Sequence, residues 1–248
     1  MSLIVTFINK YGIVHASDSN LSRDGSFAGE GQKTFPIKHL NAALTVAGCY
    51  SVGGTSMDAW MENIIKIHSK ESNKLLENFA EYLRNLLEIN MVPSEKQKGC
   101  MVHIAGYVGE GKESHPEFWF VRNFYGIDNN TGEYTRIEER FEKSEDFWTK
   151  FSNKQELTQW FQNGSQVFGN GYVAGRIGFF MLLPKMTEFL DVIWGNPNWK
   201  FRPPETIGET GLLVKLYFQV ISTLFTISDY SAPFIGGDIQ IYEIPCAV

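Results

Sequence analysis

The chain has few cysteines, no long apolar run and no excess of basic charge, and each shortage removes a class of function. Cys49, Cys100 and Cys246 are too few and too scattered for a disulfide framework, so they read as buried thiols in a reducing compartment. Lys and Arg number 22 against 28 Asp and Glu, a net charge of −6 that argues against a general nucleic-acid binder and its basic patch. No apolar stretch reaches the ~20 residues that span a bilayer. Met1-Ser2-Leu3-Ile4-Val5-Thr6-Phe7 lacks the basic start and small-residue cleavage site of a secretory leader. The expectation is a cytoplasmic protein with neither nucleic-acid nor membrane partner. His15, His39, His68, His103 and His115 have no metal-ligand spacing, and Gly169-Asn170-Gly171 follows no parallel strand–helix unit that would make it a phosphate loop. Neither metal nor organic cofactor is expected.

What is present is core-forming material: 43% hydrophobic residues, 14% of the chain aromatic, over 248 positions without internal repeats. The first fifty residues read as two hairpins. Ser2 to Ile8 turns through Asn9-Lys10-Tyr11-Gly12 into Ile13 to Ser19, and Lys33 to Ile37 connects to Ala42 to Gly48. Two helices follow. The first is capped by Thr55, with a stripe of Met57, Trp60, Met61, Ile64 and Ile65; the second is capped by Ser72, with a stripe from Leu75 to Leu87. Cys100 to Val108 and Glu117 to Phe124 form another hairpin. A third helix runs from about Tyr172 to Phe189, bent or broken near Pro184, and a fourth from Gly211 to Ile227. Asp238 to Ile244 alternates as a closing strand. Hairpins imply antiparallel sheets, and helices arriving in pairs imply outer layers. One domain over 1–248 is expected, with surface insertions at about 125–166 and 191–208. The charge run from Glu138 to Asp146 reads as a solvated face of the first.

Register carries the chemistry. With Ile8 opposite Ile13, Ser2 and Leu3 face Asp18 and Ser19; the second hairpin brings Lys33 close to Val46, Ala47 and Gly48. Met1 before a small residue is normally removed, which leaves a free amine on the residue that owns the Ser2 hydroxyl. That amine, with an ordinary pKa of about 7.7–8, can accept the hydroxyl proton. A neighbouring Lys33 ammonium lowers the amine's proton affinity, Asp18 keeps Lys33 charged and oriented, and the Gly48 N–H can face an oxyanion. Each residue also has a plain reading: Asp18 as a strand-end carboxylate, Lys33 as a solvated strand end, Gly48 as backbone shape. Cys49 reads as a core thiol, because no histidine lies at a spacing that would activate it.

Ser2-Leu3-Ile4-Val5-Thr6-Phe7, Gly12 to Ser19, Gln32-Lys33-Thr34-Phe35-Pro36-Ile37 and Val46-Ala47-Gly48 resemble the proteasome β-subunit family. The sixteen-residue step from Ser2 to Asp18 equals the family's step from catalytic threonine to aspartate. Lys33 and Gly48 fall where the family has its lysine and oxyanion glycine. Asp229-Tyr230-Ser231, with Gly236-Gly237-Asp238-Ile239 after it, resembles the Asp…Ser-Gly-Gly segment that orients the amine, with Ala232 to Ile235 intervening. Asn170 stands where the family has a supporting serine, and Ser2 replaces the threonine; lacking the methyl group that restrains the rotamer, it implies slower turnover.

The resemblance implies an α+β fold, a four-layer αββα sandwich with two antiparallel sheets between helical layers. It implies a peptide or unfolded-protein substrate cleaved at Ser2, and assembly as a homo-oligomer, commonly a ring. An inactive scaffold of the same fold, a small-molecule amidohydrolase and a peptide-binding module are the alternatives.

Overall fold

The structure is a computed structural model that describes residues 2–23, 26–72, 74–111, 114–127, 134–145, 154–171, 173–227 and 235–246. Alternation and turn chemistry form the opening hairpins where they are expected. β1 (Leu3–Asn9) returns into β2 (Gly12–Asp18) with Ile8 opposite Ile13 and Ile4 opposite Ser17, and the Asn9 side chain closes the turn by accepting the Tyr11 N–H at 2.9 Å. A ribbon of β3 (Asn20–Arg23) and β4 (Ser26–Glu30) follows. β5 (Thr34–Ile37) pairs with β6 (Ala42–Gly48), Thr34 opposite Thr45. A second small ribbon, β7 (Ser51–Val52) and β8 (Thr55–Ser56), leads into α1 (Met57–His68).

α2 (Leu76–Asn90) and the single turn α3 (Pro93–Lys96) come next, then β9 (Cys100–Val108), β10 (His115–Ile127) and β11 (Tyr134–Glu145). α4 (Lys154–Asn163), β12 (Ser165–Gly171), α5 (Val173–Trp194), α6 (Ile207–Thr226) and β13 (Ile239–Pro245) complete the described elements. β12, β1, β2 and β13 form a four-stranded antiparallel sheet in that order; β11, β10, β9, β6 and β5 form a five-stranded one.

Alternation along these strands sorts three apolar clusters. Leu44, Val46, Val102 and Ile104 face α1 and α2, meeting Met61, Phe79 and Leu83. Ile8, Ala43, Met101 and Ala105 face the space between the large sheets, where Phe118 stacks on Phe168 at 3.9 Å between ring centroids. Leu3, Val5, Val14 and Ala16 face α6 through Val214, Phe218 and Ile221. Burial of such side chains, each contributing about 1.5–3 kcal/mol, is the main stabilising term. Phe189 and Val192 on α5, and Leu212 and Leu224 on α6, remain exposed.

The fold is mixed α+β, but the expected four-layer αββα sandwich of two sheets is corrected: the described residues form four sheets, two of them two-stranded ribbons. Helix α4 also breaks the layering, since its Leu157 is 1 % exposed and lies in the cluster between the two large sheets. The stretch read as a surface insertion at 125–166 therefore supplies core. Phe141 of β11 is buried against the helical side, and β11 becomes an edge strand of the five-stranded sheet.

Helix boundaries also shift. Thr55 lies in β8, Ser56 occupies the position before α1, and Leu75, not Ser72, precedes α2. α5 passes through Pro184 and continues to Trp194, taking in the first residues of the second expected insertion. α6 starts four residues before Gly211, with the Thr206 hydroxyl accepting the Glu209 N–H. Among the described residues no helix is long and apolar enough to cross a membrane.

A chain of buried polar groups ties the two large sheets together. Asn170 Nδ2 lies 2.8 Å from His103 Nε2, Thr6 Oγ1 lies 3.2 Å from both His103 Nδ1 and His15 Nδ1, and His15 Nε2 lies 3.3 Å from the Ala105 carbonyl. One assignment of neutral tautomers satisfies every contact: Asn170 donates to His103, His103 to Thr6, Thr6 to His15, and His15 to the carbonyl. Burial pushes the His15 pKa down to about 4 and that of His103 well below its ordinary value, which keeps both rings neutral. Because these folded values are depressed below the ordinary 6.5, the rings' contribution to stability is full above that pH and is lost as pH falls through about 4. Thr6→Val, equal in shape but unable to hydrogen-bond, is expected to cost about 1–3 kcal/mol in urea unfolding at neutral pH. A change below about 0.5 kcal/mol would show that the chain contributes nothing.

Candidate active site

The two hairpin registers meet at one buried ion pair. Asp18 ends β2, and its Oδ1 accepts the Leu3 N–H at 2.8 Å across the β1–β2 pairing. Lys33 precedes β5, where its carbonyl accepts the Val46 N–H at 2.9 Å, and its Nζ lies 3.2 Å from the same Asp18 Oδ1. That ammonium also donates to the Asn20 carbonyl at 2.5 Å. The side chains of Lys33 and Asp18 are 1 % and 0 % exposed. Ser2 adjoins Leu3 and is itself buried.

Burial dominates the electrostatics of this pair. It raises the Asp18 pKa above its ordinary value, against the opposing pull of Lys33 and the Leu3 N–H, and it lowers that of Lys33 against the pull of Asp18. Asp18 Oδ2 is buried with no hydrogen-bond partner among the described residues. A lysine whose ammonium is destabilised by burial gives up a proton more readily than one in water, and beside a serine it can stabilise developing negative charge.

Gly48 closes β6 at φ +99, and an added Cβ would lie 2.3 Å from the Gly99 carbonyl oxygen. Backbone shape alone therefore requires glycine here, whether or not its N–H faces an oxyanion. Cys49 beside it is a buried thiol whose pKa burial pushes up, the opposite of an activated nucleophile. Asp229 and Ser231 lie outside the described residues. The glycines after them do reach the site: the Gly236 carbonyl accepts the N–H groups of Ser19 and Asn20, each at 3.2 Å, and the Asp238 N–H donates to Ser19 Oγ at 2.8 Å. Asn170 sends its amide into the inter-sheet chain towards His103. Its neighbour Gly171 lies so close to Ser2 that an added Cβ would be 1.8 Å from the Ser2 carbonyl oxygen.

Two supporting residues escaped the sequence reading. Glu95 accepts from Ser51 Oγ and from the N–H groups of Gly53, Gly54 and Val92, at 2.8, 3.0 and 3.0 Å, bracing the turn that follows Gly48 and Cys49. The spacing of Glu95 from Pro93 at a helix start was the available signal. Gln240 on β13 accepts from the Lys33 N–H at 2.7 Å. Ile239 and Ile241 pack towards α6, so alternation turns Gln240 to the opposite face, which a one-sided strand would expose to water. Among the described residues no group of three or more His, Cys, Asp or Glu is placed to hold a metal ion. Neither models of known protein families nor the curated proteins match the chain.

Proposed function

We propose that the protein is an N-terminal nucleophile amide hydrolase, similar in mechanism to proteasome β subunits, with Ser2 as nucleophile once Met1 is removed. The supporting observation is the buried Lys33–Asp18 pair bonded to the Leu3 N–H, one residue from Ser2. In this mechanism Ser2 Oγ attacks the carbonyl carbon of a peptide bond and its proton passes to the Ser2 α-amine. Lys33 Nζ stabilises the charge developing on Oγ, and the Gly48 N–H stabilises the carbonyl oxygen. The tetrahedral adduct collapses with transfer of that proton to the leaving amine, giving an acyl ester on Ser2. Water then adds to the ester, the α-amine takes the water proton and returns it to Ser2 Oγ as the Oγ–acyl bond breaks, and the acid product departs.

Asp229 and Ser231, as in the family, would orient the amine. Homo-oligomerisation belongs to the same proposal, and the apolar side chains left exposed on α5 and α6 are the kind of surface that assembly covers.

One observation favours a scaffold with the same pair and no chemistry: Ser2 is only 6 % exposed. Intact mass before and after incubation with a peptide epoxyketone separates the two, because the reagent closes its ring only on a residue bearing both a hydroxyl and a free amine. The expected result is loss of Met1 and one adduct, absent in Ser2→Ala. Retained Met1 in the protein isolated from cells would overturn the hydrolase reading.

A further inference from the structure

The free edges of the two large sheets come together at Lys33. β5 is the last strand of the five-stranded sheet and β13 the last strand of the four-stranded one. An edge strand has main-chain donors without ladder partners. Here the side chain of Gln240, on β13, supplies the missing acceptor. Its Oε1 accepts the Lys33 N–H at 2.7 Å, the Thr34 N–H at 3.1 Å and the Ser17 hydroxyl at 3.3 Å, while its Nε2 donates to the Gly31 carbonyl at 2.8 Å. The amide orientation is unambiguous, because main-chain N–H groups can only donate and the Gly31 carbonyl can only accept. Ser17 Oγ lies 2.8 Å from Thr34 Oγ1, so the same oxygen also organises the polar end of the inter-sheet layer.

We infer that Gln240 is a positioning residue for Lys33: it holds the main chain at Lys33 at the depth from which Nζ reaches Asp18, and it keeps water from that edge. The inference rests on the proposed role of Lys33 for its catalytic meaning, but the effect on Lys33 itself stands apart from any chemistry. A four-carbon side chain held only at its far end, by Asp18 and Asn20, transmits any main-chain shift to the ammonium. Main-chain bonds at residues 33 and 34 remove that freedom. Backbone displacement of a reacting group by well under 1 Å is enough to slow a reaction about tenfold.

The test compares Gln240→Met, of similar length without the acceptor, with Gln240→Glu, which keeps acceptor oxygens. Three readouts are taken: the 13Cε titration of Lys33 by NMR, the thermal midpoint, and epoxyketone labelling resolved into binding (KI) and inactivation rate (kinact). In Gln240→Met, Lys33 is expected to titrate closer to an ordinary lysine as water reaches it, and kinact to fall about tenfold with KI little changed. Gln240→Glu is expected to recover most of kinact. A merely structural glutamine would instead lower the midpoint while leaving the Lys33 titration and the kinact-to-KI split as in the wild type, and that result overturns the inference. If the wild-type protein forms no adduct, the hydrolase reading fails and the Lys33 titration alone decides the role of Gln240. If Gln240→Met does not fold, Gln240→Ala takes its place, and a Lys33 titration and kinact-to-KI split unmoved in that variant overturn the inference equally.

Discussion

Lys33→Met is expected to destabilise the protein by about 3–5 kcal/mol and to abolish the Ser2 adduct, because it leaves the buried Asp18 carboxylate without its counter-ion. Asp18 Oδ1 would keep only the Leu3 N–H, and Oδ2 already has no partner among the described residues. Asp18→Asn combined with Lys33→Met should regain most of the lost stability and none of the reactivity, since a neutral pair of similar volume avoids the cost of burying two charges. The pH dependence follows from the shifts. Asp18 has a folded pKa raised above its ordinary 3.8, so its contribution is full below that pH and is lost as pH rises through the folded value. Lys33 has a folded pKa lowered below its ordinary 10.5, so its contribution is present above that pH and is lost as pH falls through the folded value. Between those limits the ionised pair of the wild type opposes folding, so the neutral double variant should compare best with the wild type there, while its advantage over Lys33→Met is present wherever Asp18 is ionised. Urea unfolding between pH 5 and 9 measures it; a double variant no more stable than Lys33→Met would show that the pair has a structural part beyond its charges.

Gly171→Ala is expected to cost about 3 kcal/mol or more and to remove Ser2 labelling together with stability. Two effects add. The backbone at Gly171 has φ +127, and an added Cβ would lie 1.8 Å from the Ser2 carbonyl oxygen, a main-chain atom that moves only if β1 moves. Gly29 separates the effects, because it has φ +122 and nothing within 4 Å of an added Cβ. Gly29→Ala should cost only the backbone strain, about 1 kcal/mol, and leave labelling intact. Equal losses in the two variants, read by urea unfolding, would mean that β12 and Ser2 are not in the close contact on which the site's geometry depends.

Much of the pair's position was legible because it lies in local structure. Hairpin register follows from a turn and a period-2 pattern, so Asn9 to Gly12 and the alternation on either side already set Leu3 against Asp18. The same holds for Lys33 against Val46. Residues far apart in the chain were harder. β12 pairs with β1 through Leu3 and Gly171, and nothing in its glycine-rich run, Gly169-Asn170-Gly171, marks it as a strand. Leu157 on α4 lies in a stretch whose charge outweighs its few apolar positions, so its burial between the sheets was hidden.

The sequence by itself determined the order of the main strands and helices, the two opening registers and, through them, the placing of Asp18 against Leu3 and of Lys33 against Val46. Alternation divides a strand into two faces but does not say whether the second face meets water or another sheet. Stacking of the two large sheets buries Thr6, His15 and His103 and leaves Gln240 half-buried, which alternation alone does not reveal. Which polar groups must find partners in the core, how the free sheet edges are closed at Lys33, and how many sheets form were decided only by tertiary packing. Those outcomes depend on contacts between residues separated by most of the chain, which no local pattern encodes.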